Sequence, residues 1–534
     1  MVRSAPEPLA LQTDVLVIGG GMAGAWAATA AAKAGATVTL VDKGYCGTSG
    51  VTATAGPGHW WVPPDPPEAR AAAVRARVAA GLGLGEADWM HRILDRTWCA
   101  LPTLAPHYRF GVDDSGRTNY RAVRGPEYMR ALRRSVLSCG VTILDHSPAQ
   151  ELLARDDGSI GGAQGLRRQD GGRAYRIEAG AVVLAAGGTS FLSHLLGSWT
   201  NTGDGYLMAA EAGAELSGME FTGAYTIAPA HSTMTRSMAY AFATYYDADG
   251  HELDIPFAPD QTLRLARALL RGRVYCSLHR LPDDIRLRLH MISPNVPLVF
   301  DRWQVDPYRD RFEVTLHNDG TIRGLGGVRV AGEDCATSVP GLFVAGDNAS
   351  REKVAGAISG GGNVNSAWAL SSGMFAGEAA ARLARGIRAR SVPLRPLGRA
   401  GLRPQGAAKT IDLAAIRDAV RGEMHPFDKN LFRSASGLVR SRDVLDNLWR
   451  ELAGHASGQM AVREAAALVA TARWSVATAI RRTESRGLHR REDHPALDPA
   501  LAVRLLSSGF DRIQVTADDA AAVPASQHAL EGVP

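Results

Sequence analysis

Gly19, Gly21 and Gly24 stand in G-x-G-x-x-G spacing between an apolar run, Val15 to Ile18, and an Ala-rich segment of helical composition. This spacing serves phosphate binding. Gly19 permits the tight turn, Gly21 lets backbone approach a pyrophosphate, and Gly24 lets the following helix pack on the sheet. The helix start at Met22 and Ala23 offers unpaired N–H groups and the positive end of its dipole. A second strand, Thr37 to Val41, ends in Asp42, where a carboxylate can accept the hydroxyls of an adenosine ribose. Strand, glycine turn, helix, strand and acid, in that order, predict a site for an ADP-containing dinucleotide.

The elements that must hold such a ligand recur late in the chain. GAVVLAAGG at 180–188 is a strand running into small residues, and GLFVAGD at 341–347 is another strand ending in Gly-Asp. A nicotinamide dehydrogenase usually closes its nucleotide domain in one continuous segment. A return about 300 residues after the first motif favours FAD instead. Asp347, at the carboxyl end of a parallel strand, is expected at the ribityl chain, because open α/β sheets bind ligands there.

Together with the Gly-Thr-Ser-Gly segment at 47–50, TGDGYLMAAEAGAELSGMEF at 202–221, GGGNVNSAWALSSGMFAGEAAA at 360–381 and RRTESRGLHRREDHP at 481–495, these motifs extend over most of the chain. They resemble the FAD-dependent succinate dehydrogenase/fumarate reductase flavoprotein family, which includes L-aspartate oxidase and the adenylylsulfate reductase flavoprotein. The string at 481–495 is the most specific part of the resemblance. The implied fold is α/β. A Rossmann-like FAD-binding domain is split in sequence into 12–215 and 326–388, with an inserted α+β capping domain at 216–325 and a C-terminal helical domain at 410–515. Beside the glycines and Asp42, the resemblance implies FAD contacts from Lys43, Ser49, Gly50, Thr52, Ala186 and Asp204. It also implies that the turn at 360–365 opens a helix aimed at the flavin, with Asn363, Val364, Asn365 and Ser366 as candidates. A helix dipole there stabilises the negative charge that gathers on flavin when it is reduced.

Membrane-type members of the family attach flavin to a histidine after the second strand. Gly50 stands at that position here, so non-covalent FAD is expected. His59, Trp60 and Trp61 follow Gly56-Pro57-Gly58 and are read as a wall or gate of the site's mouth. The substrate positions depart from the dicarboxylate pattern. Tyr225 replaces a histidine, Ile358, Ser359 and Gly360 stand where an arginine precedes the Gly-rich turn, and the stretch around Ile322 lacks a further histidine. Charge-assisted contacts to carboxylates are lost with them, so succinate, fumarate and aspartate are not the expected substrates. Tyr225, Arg236 and Arg323 are the catalytic candidates, and His231 and His317 are further groups able to move a proton.

Composition narrows the classes that remain. The chain has 534 residues, 46% hydrophobic and 21% charged, which suits a soluble protein of several domains. No apolar run reaches membrane-spanning length, and the N-terminus lacks the pattern of a secretory signal, so the cytoplasm is the expected compartment. Five cysteines lie far apart without a C-x-x-C pair, which argues against a metal or cluster site. The net charge of +5 comes without an aromatic-interleaved basic patch, so no nucleic-acid partner is expected. These readings converge on an FAD-dependent dehydrogenase or oxidase that moves a hydride equivalent between a small polar metabolite and flavin N5. Oxygen or a redox protein would be its electron acceptor. The reverse reaction on an activated double bond, an electron-transfer subunit docking a separate iron–sulfur protein, and a non-catalytic flavin carrier stay open as alternatives.

Overall fold

Val15, Leu16 and Val17 are fully buried, as are Ala181 to Leu184. Continuous apolar runs of this kind suit strands covered on both faces, as in a parallel sheet. In the computed structural model, which describes residues 7–113, 115–233, 238–292, 295–386, 393–403, 411–453, 455 and 459–518, these runs are neighbours. The Leu9–Ile18 strand pairs in parallel with Val38–Val41 on one side and Arg173–Leu184 on the other. Thr142–Leu144 extends the sheet beyond Val38–Val41, and Leu342–Val344 joins Arg173–Leu184, both in parallel. Antiparallel strands Ile160–Arg167, Ala149–Ala154 and Arg395–Pro396 complete eight among the described residues.

The late segment is bound to the early one by helix contact as well. Helix Gly361–Gly386 lies so close to helix Met22–Lys33 that a Cβ on Gly373 would stand 2.4 Å from the Ala23 carbonyl oxygen, and one on Gly377 2.2 Å from that of Ala27. Only glycine allows this backbone approach.

Between the two parts of this unit, residues 225–318 build a five-stranded antiparallel sheet with its own apolar core around Tyr245, Leu265, Cys276 and Val314. Leu216–Ser217 and Gly327–Val328, on either side of that insertion, pair with each other, and the C-terminal strand Leu505–Ser508 pairs with Leu216–Ser217. The C-terminal region contains the helices Leu413–Met424, Ala435–Ala453 and Met460–Arg481 and ends in a hairpin, Leu505–Ser508 with Gln514–Ala517. The hairpin is an addition to the helical region read from sequence. Leu505 and Leu506 are buried, and Gly509 turns the chain with a left-handed φ of 76°. The sequence segments at 387–392, 404–410 and 519–534, which include parts of the expected linker and tail, lie outside the described residues.

The motif at 481–495 fastens these parts together from within. Arg482 is ion-paired to Glu220 at 2.8 Å and to Glu484 at 2.9 Å, and Arg486 to Glu484 at 2.6 Å, all with side chains no more than 1% exposed. Arg433 donates to His489 Nδ1 at 2.7 Å and to the Glu220 carbonyl at 2.6 Å. The Leu488 amide donates to the Ala357 carbonyl, and Arg486 donates to the Leu82 carbonyl. From the other side, Arg77 Nη2 donates to the Ala355 and Ser359 carbonyls at 3.1 and 3.2 Å. Residues 355–359, immediately before the long helix, are thus gripped from two directions.

Candidate active site

A cavity of about 480 Å³ opens where the parallel strands end at their carboxyl sides. One flank is the glycine turn, with Gly21, Met22 and Ala23, and another is the strand end at Ala185 and Gly187. Gly346 and Asp347 enter from the late strand, and Gly362, Asn365 and Ser366 from the start of the long helix. A second cavity of about 90 Å³ shares Gly21, Gly50, Ala185, Gly187 and Asn201 with the first and reaches Gly19, Asp42, Lys43, Ser49, Ala186 and Asp204. Together they form one elongated site along the strand ends, the location expected of a dinucleotide in such a sheet.

Two observations test its fit to FAD. A Cβ placed on Gly21 meets no atom within 4 Å, so the missing side chain leaves room in the cradle rather than serving the packing. Asn365 lines the cavity, and its carboxamide oxygen is buried without a partner among the described residues. Both features suit an extended ligand that brings phosphates to the turn and hydrogen-bond donors to the helix start.

The charged groups are held by local bonds. Asp42 accepts hydrogen bonds from the Gly20 amide, the Gly44 amide at 2.7 Å and Ser49 Oγ, so its carboxylate also ties the turn it follows. Lys43 Nζ lies 2.7 Å from Asp204 and 2.9 Å from Glu464 of the C-terminal helix Met460–Arg481. Burial opposes its charge, yet these two carboxylates keep its pKa above the usual lysine value. Asp347 pairs with Arg351, and burial raises its pKa against the pull of that guanidinium. Arg351 also donates to the carbonyls of Thr321 at 2.9 Å, Ile322 at 2.6 Å and Gly324, which fixes the turn carrying Arg323. Arg323 lines the cavity with its Nε 3.4 Å from Asp319, a carboxylate that is 1% exposed.

Other predicted residues do not reach the cavity. Tyr225 donates its phenol proton to the His425 carbonyl at 2.9 Å and stacks edge-on against Phe427, 5.5 Å between ring centroids. Burial raises its pKa, so the phenol stays protonated as an interdomain packing group rather than facing the ligand site. His59 packs edge-on against Tyr128 at 5.5 Å, Trp60 is buried in the apolar core and Trp61 stacks on Trp98 at 4.2 Å, so these residues pack the interior instead of gating the mouth. With burial lowering its pKa to about 3, His59 is neutral. Thr52 lines the cavity, whereas Asn363 is exposed and caps the Val364 amide at 2.9 Å, and Val364 is a core residue. Gly24 serves packing alone: a Cβ there would stand 1.8 Å from the Gly19 carbonyl oxygen. His317 donates from Nε2 to the Ser232 carbonyl at 2.9 Å, and His231 is exposed. Arg236 lies outside the described residues.

The cavity also gathers residues that sequence reasoning missed. Arg124 and Glu127 stand at the start of helix Gly125–Ser138, and Leu195, Leu196 and Val296 form an apolar wall. Arg124 Nε and Glu127 Oε1 are 3.5 Å apart, while Glu127 Oε2 is buried without a partner among the described residues. The available signal was Gly125-Pro126-Glu127, a helix start with proline and an acid in the first turn.

Comparison with known proteins agrees with this geometry. Residues 14–236 match the FAD binding domain family, and residues 432–514 match the fumarate reductase flavoprotein C-terminal family. The chain is 27% identical over 566 residues to L-aspartate oxidase of Streptomyces coelicolor, covering 92% of this chain and 91% of that one. It is 26% identical over 550 residues to one subunit of the fumarate reductase (CoM/CoB) of Methanothermobacter marburgensis, covering 91% and 95%. A solved quinol fumarate reductase chain from E. coli superposes with a TM-score of 0.80 at 21% identity, covering 95% of this chain and 97% of that one. Two family matches at opposite ends of one fold leave a single reading: the chain belongs to the FAD-dependent succinate dehydrogenase/fumarate reductase flavoprotein family and is an FAD-dependent oxidoreductase.

Proposed function

We propose that the protein is a dehydrogenase or oxidase of a small metabolite that is not a dicarboxylate, and that it holds FAD without a covalent bond. The observation that carries this reading is one cavity joining the glycine cradle to Arg323 and Glu127. Gly19, Gly21, Met22, Ala23, Asp42, Ser49 and Gly50 hold the dinucleotide end, with Lys43 and Asp204 positioned behind it. Asp347, Asn365 and Ser366 hold the flavin end, and no histidine stands at Gly50 to form a bond to it. Bound FAD supplies a centre that accepts or gives two electrons as a hydride equivalent. Arg323, steadied through its Nε by Asp319, orients the substrate. Glu127 presents its unpartnered Oε2 to take the proton that leaves with the hydride.

The electron acceptor is oxygen or a redox protein. One relative is itself a component of a larger fumarate reductase, which keeps a separate protein partner as the second reading. Among the described residues no helix is long and apolar enough to cross a membrane. Five cysteines without disulfide bonds support a cytoplasmic setting. The test is to denature yellow holoprotein, measure FAD in the supernatant, and screen alcohols, amines and acids for anaerobic bleaching of the flavin. We expect full FAD release and bleaching by at least one donor, slowed at least 100-fold in Glu127→Gln at equal FAD content. Flavin retained on the denatured chain would sink the non-covalent assignment, and an unslowed variant would remove Glu127 from the chemistry.

A further inference from the structure

Resting on the oxidoreductase reading above, we propose that the substrate is a monoanion: one carboxylate joined to a hydrocarbon body. The inserted segment brings Val296, Ile322 and Arg323 to the cavity. Two of these are apolar, and the third is a cation whose Nε is anchored on buried Asp319. Its terminal nitrogens have no protein partner among the described residues, which leaves the fork of the guanidinium for a carboxylate.

The opposite wall continues the apolar surface through Leu195 and Leu196. These two residues sit in a loop that the fold takes trouble to shape. Phe191 and Leu192, neither of them glycine, adopt left-handed φ values of 53° and 58°. Such conformations persist only where the surroundings enforce them. Here His425 Nε2 donates to the Phe191 carbonyl at 2.9 Å, Ser190 and Ser198 share a hydrogen bond of 2.8 Å, and Ser198 Oγ donates to the Leu195 carbonyl at 2.7 Å. The apolar wall is therefore braced from the C-terminal region rather than left as a slack surface loop.

Among the described residues, a second carboxylate would find no equivalent of Arg323. Arg124 is already compensated by Glu127, and with a side chain 59% exposed it lies at the solvent edge. Arg351 spends both terminal nitrogens on Asp347 and on three backbone carbonyls, and its remaining Nε is buried. Placing a second charge against Leu195, Leu196, Val296 and Ile322 strips its water without replacement, whereas a hydrocarbon group gains from the same burial.

The experiment is calorimetric titration of the FAD-loaded protein with 3-phenylpropanoate, 3-phenylpropanamide, butanoate and succinate, with flavin absorbance followed in parallel. We expect 3-phenylpropanoate to bind at least 10-fold more tightly than succinate, than butanoate and than its own amide, with a negative heat-capacity change. Arg323→Gln should erase the preference for acid over amide. Leu195→Asn, which leaves Arg323 in place, should erase the preference for 3-phenylpropanoate over butanoate, so the proposal remains testable if the arginine variant folds poorly. Succinate binding as tightly as 3-phenylpropanoate, or equal affinity for acid and amide, overturns the proposal. Binding does not depend on turnover, so failure of the oxidoreductase reading would appear separately, as tight 3-phenylpropanoate binding in a protein whose flavin no donor bleaches.

Discussion

At the scale of single residues, the three motif glycines divide into two kinds. Gly24 has a carbonyl oxygen where its side chain would be, while Gly21 has open cavity. Gly24→Ala should therefore cost the fold itself several kcal/mol through backbone overlap. Gly21→Ala should leave apoprotein stability within about 0.5 kcal/mol and weaken FAD at least 10-fold. Thermal melts of the two apoproteins and flavin titrations check this, and a Gly21→Ala protein that binds FAD as wild type does would show that the cradle lies elsewhere. The motif was legible because all its parts lie within one strand–turn–helix unit, so local order dictates geometry. Tyr225 was not legible in the same way. Position along the chain suggested a pocket residue, but the direction of its side chain is set by His425 and Phe427, about 200 residues away.

At the scale of elements, the helix Gly361–Gly386 delivers Asn365 and Ser366 to the cavity, and its starting point is set by the gripped segment 355–359. Arg77 is central to that grip. Burial without a carboxylate partner lowers its pKa to about 10, still high enough for it to remain charged and to serve several carbonyls. Arg77→Gln leaves some of those carbonyls unpaired, at about 1–3 kcal/mol. Amide exchange at 355–366 should accelerate about 10- to 100-fold, with weaker FAD binding, while the Val274–Ser277 strand of the inserted sheet stays protected. Uniform acceleration through both regions would count against a local role. Helices and strands could be read from periodicity, but this grip joins Arg77 to carbonyls some 280 residues further on, and no local pattern reports such a contact.

At the scale of the molecule, the interdomain seams are lined by histidines kept neutral by burial. His425 is pushed down to about 4, and His489, beside Arg433 and Arg482, is also lowered. Between an unfolded value near 6.5 and a folded value near 4, the unfolded chain binds the extra proton. Stability from His425 is thus complete above pH 6.5 and drains away as pH falls toward 4. Glu352 and Asp347, raised by burial, work in the opposite direction, so the useful quantity is the difference between wild type and His425→Gln. That difference should change by at most about 1.4 kcal/mol per pH unit across this window, with wild type the steeper. Denaturant unfolding from pH 4 to 7 measures it, and parallel profiles would mean that His425 titrates normally. The inserted and C-terminal regions were expectations from the family resemblance, and the late return of the nucleotide unit could be read from motif order. The shared sheet of Leu216–Ser217, Gly327–Val328 and Leu505–Ser508 could not, because its short strands carry little periodicity.

The split of the nucleotide unit also imposes an order on synthesis. Leu342–Val344 completes the sheet beside Arg173–Leu184, and Gly373 seats the long helix on Ala23. At about 5–20 residues per second, a ribosome needs roughly 20–70 s after making the glycine turn before that helix emerges. Throughout that interval the nascent chain displays a half-built cradle with an unpaired parallel edge. In the binding mode proposed above, FAD cannot serve as an early nucleus for such a chain; it is captured only by a polypeptide that has been translated past the long helix, so cofactor loading acts as a check that translation has passed that point.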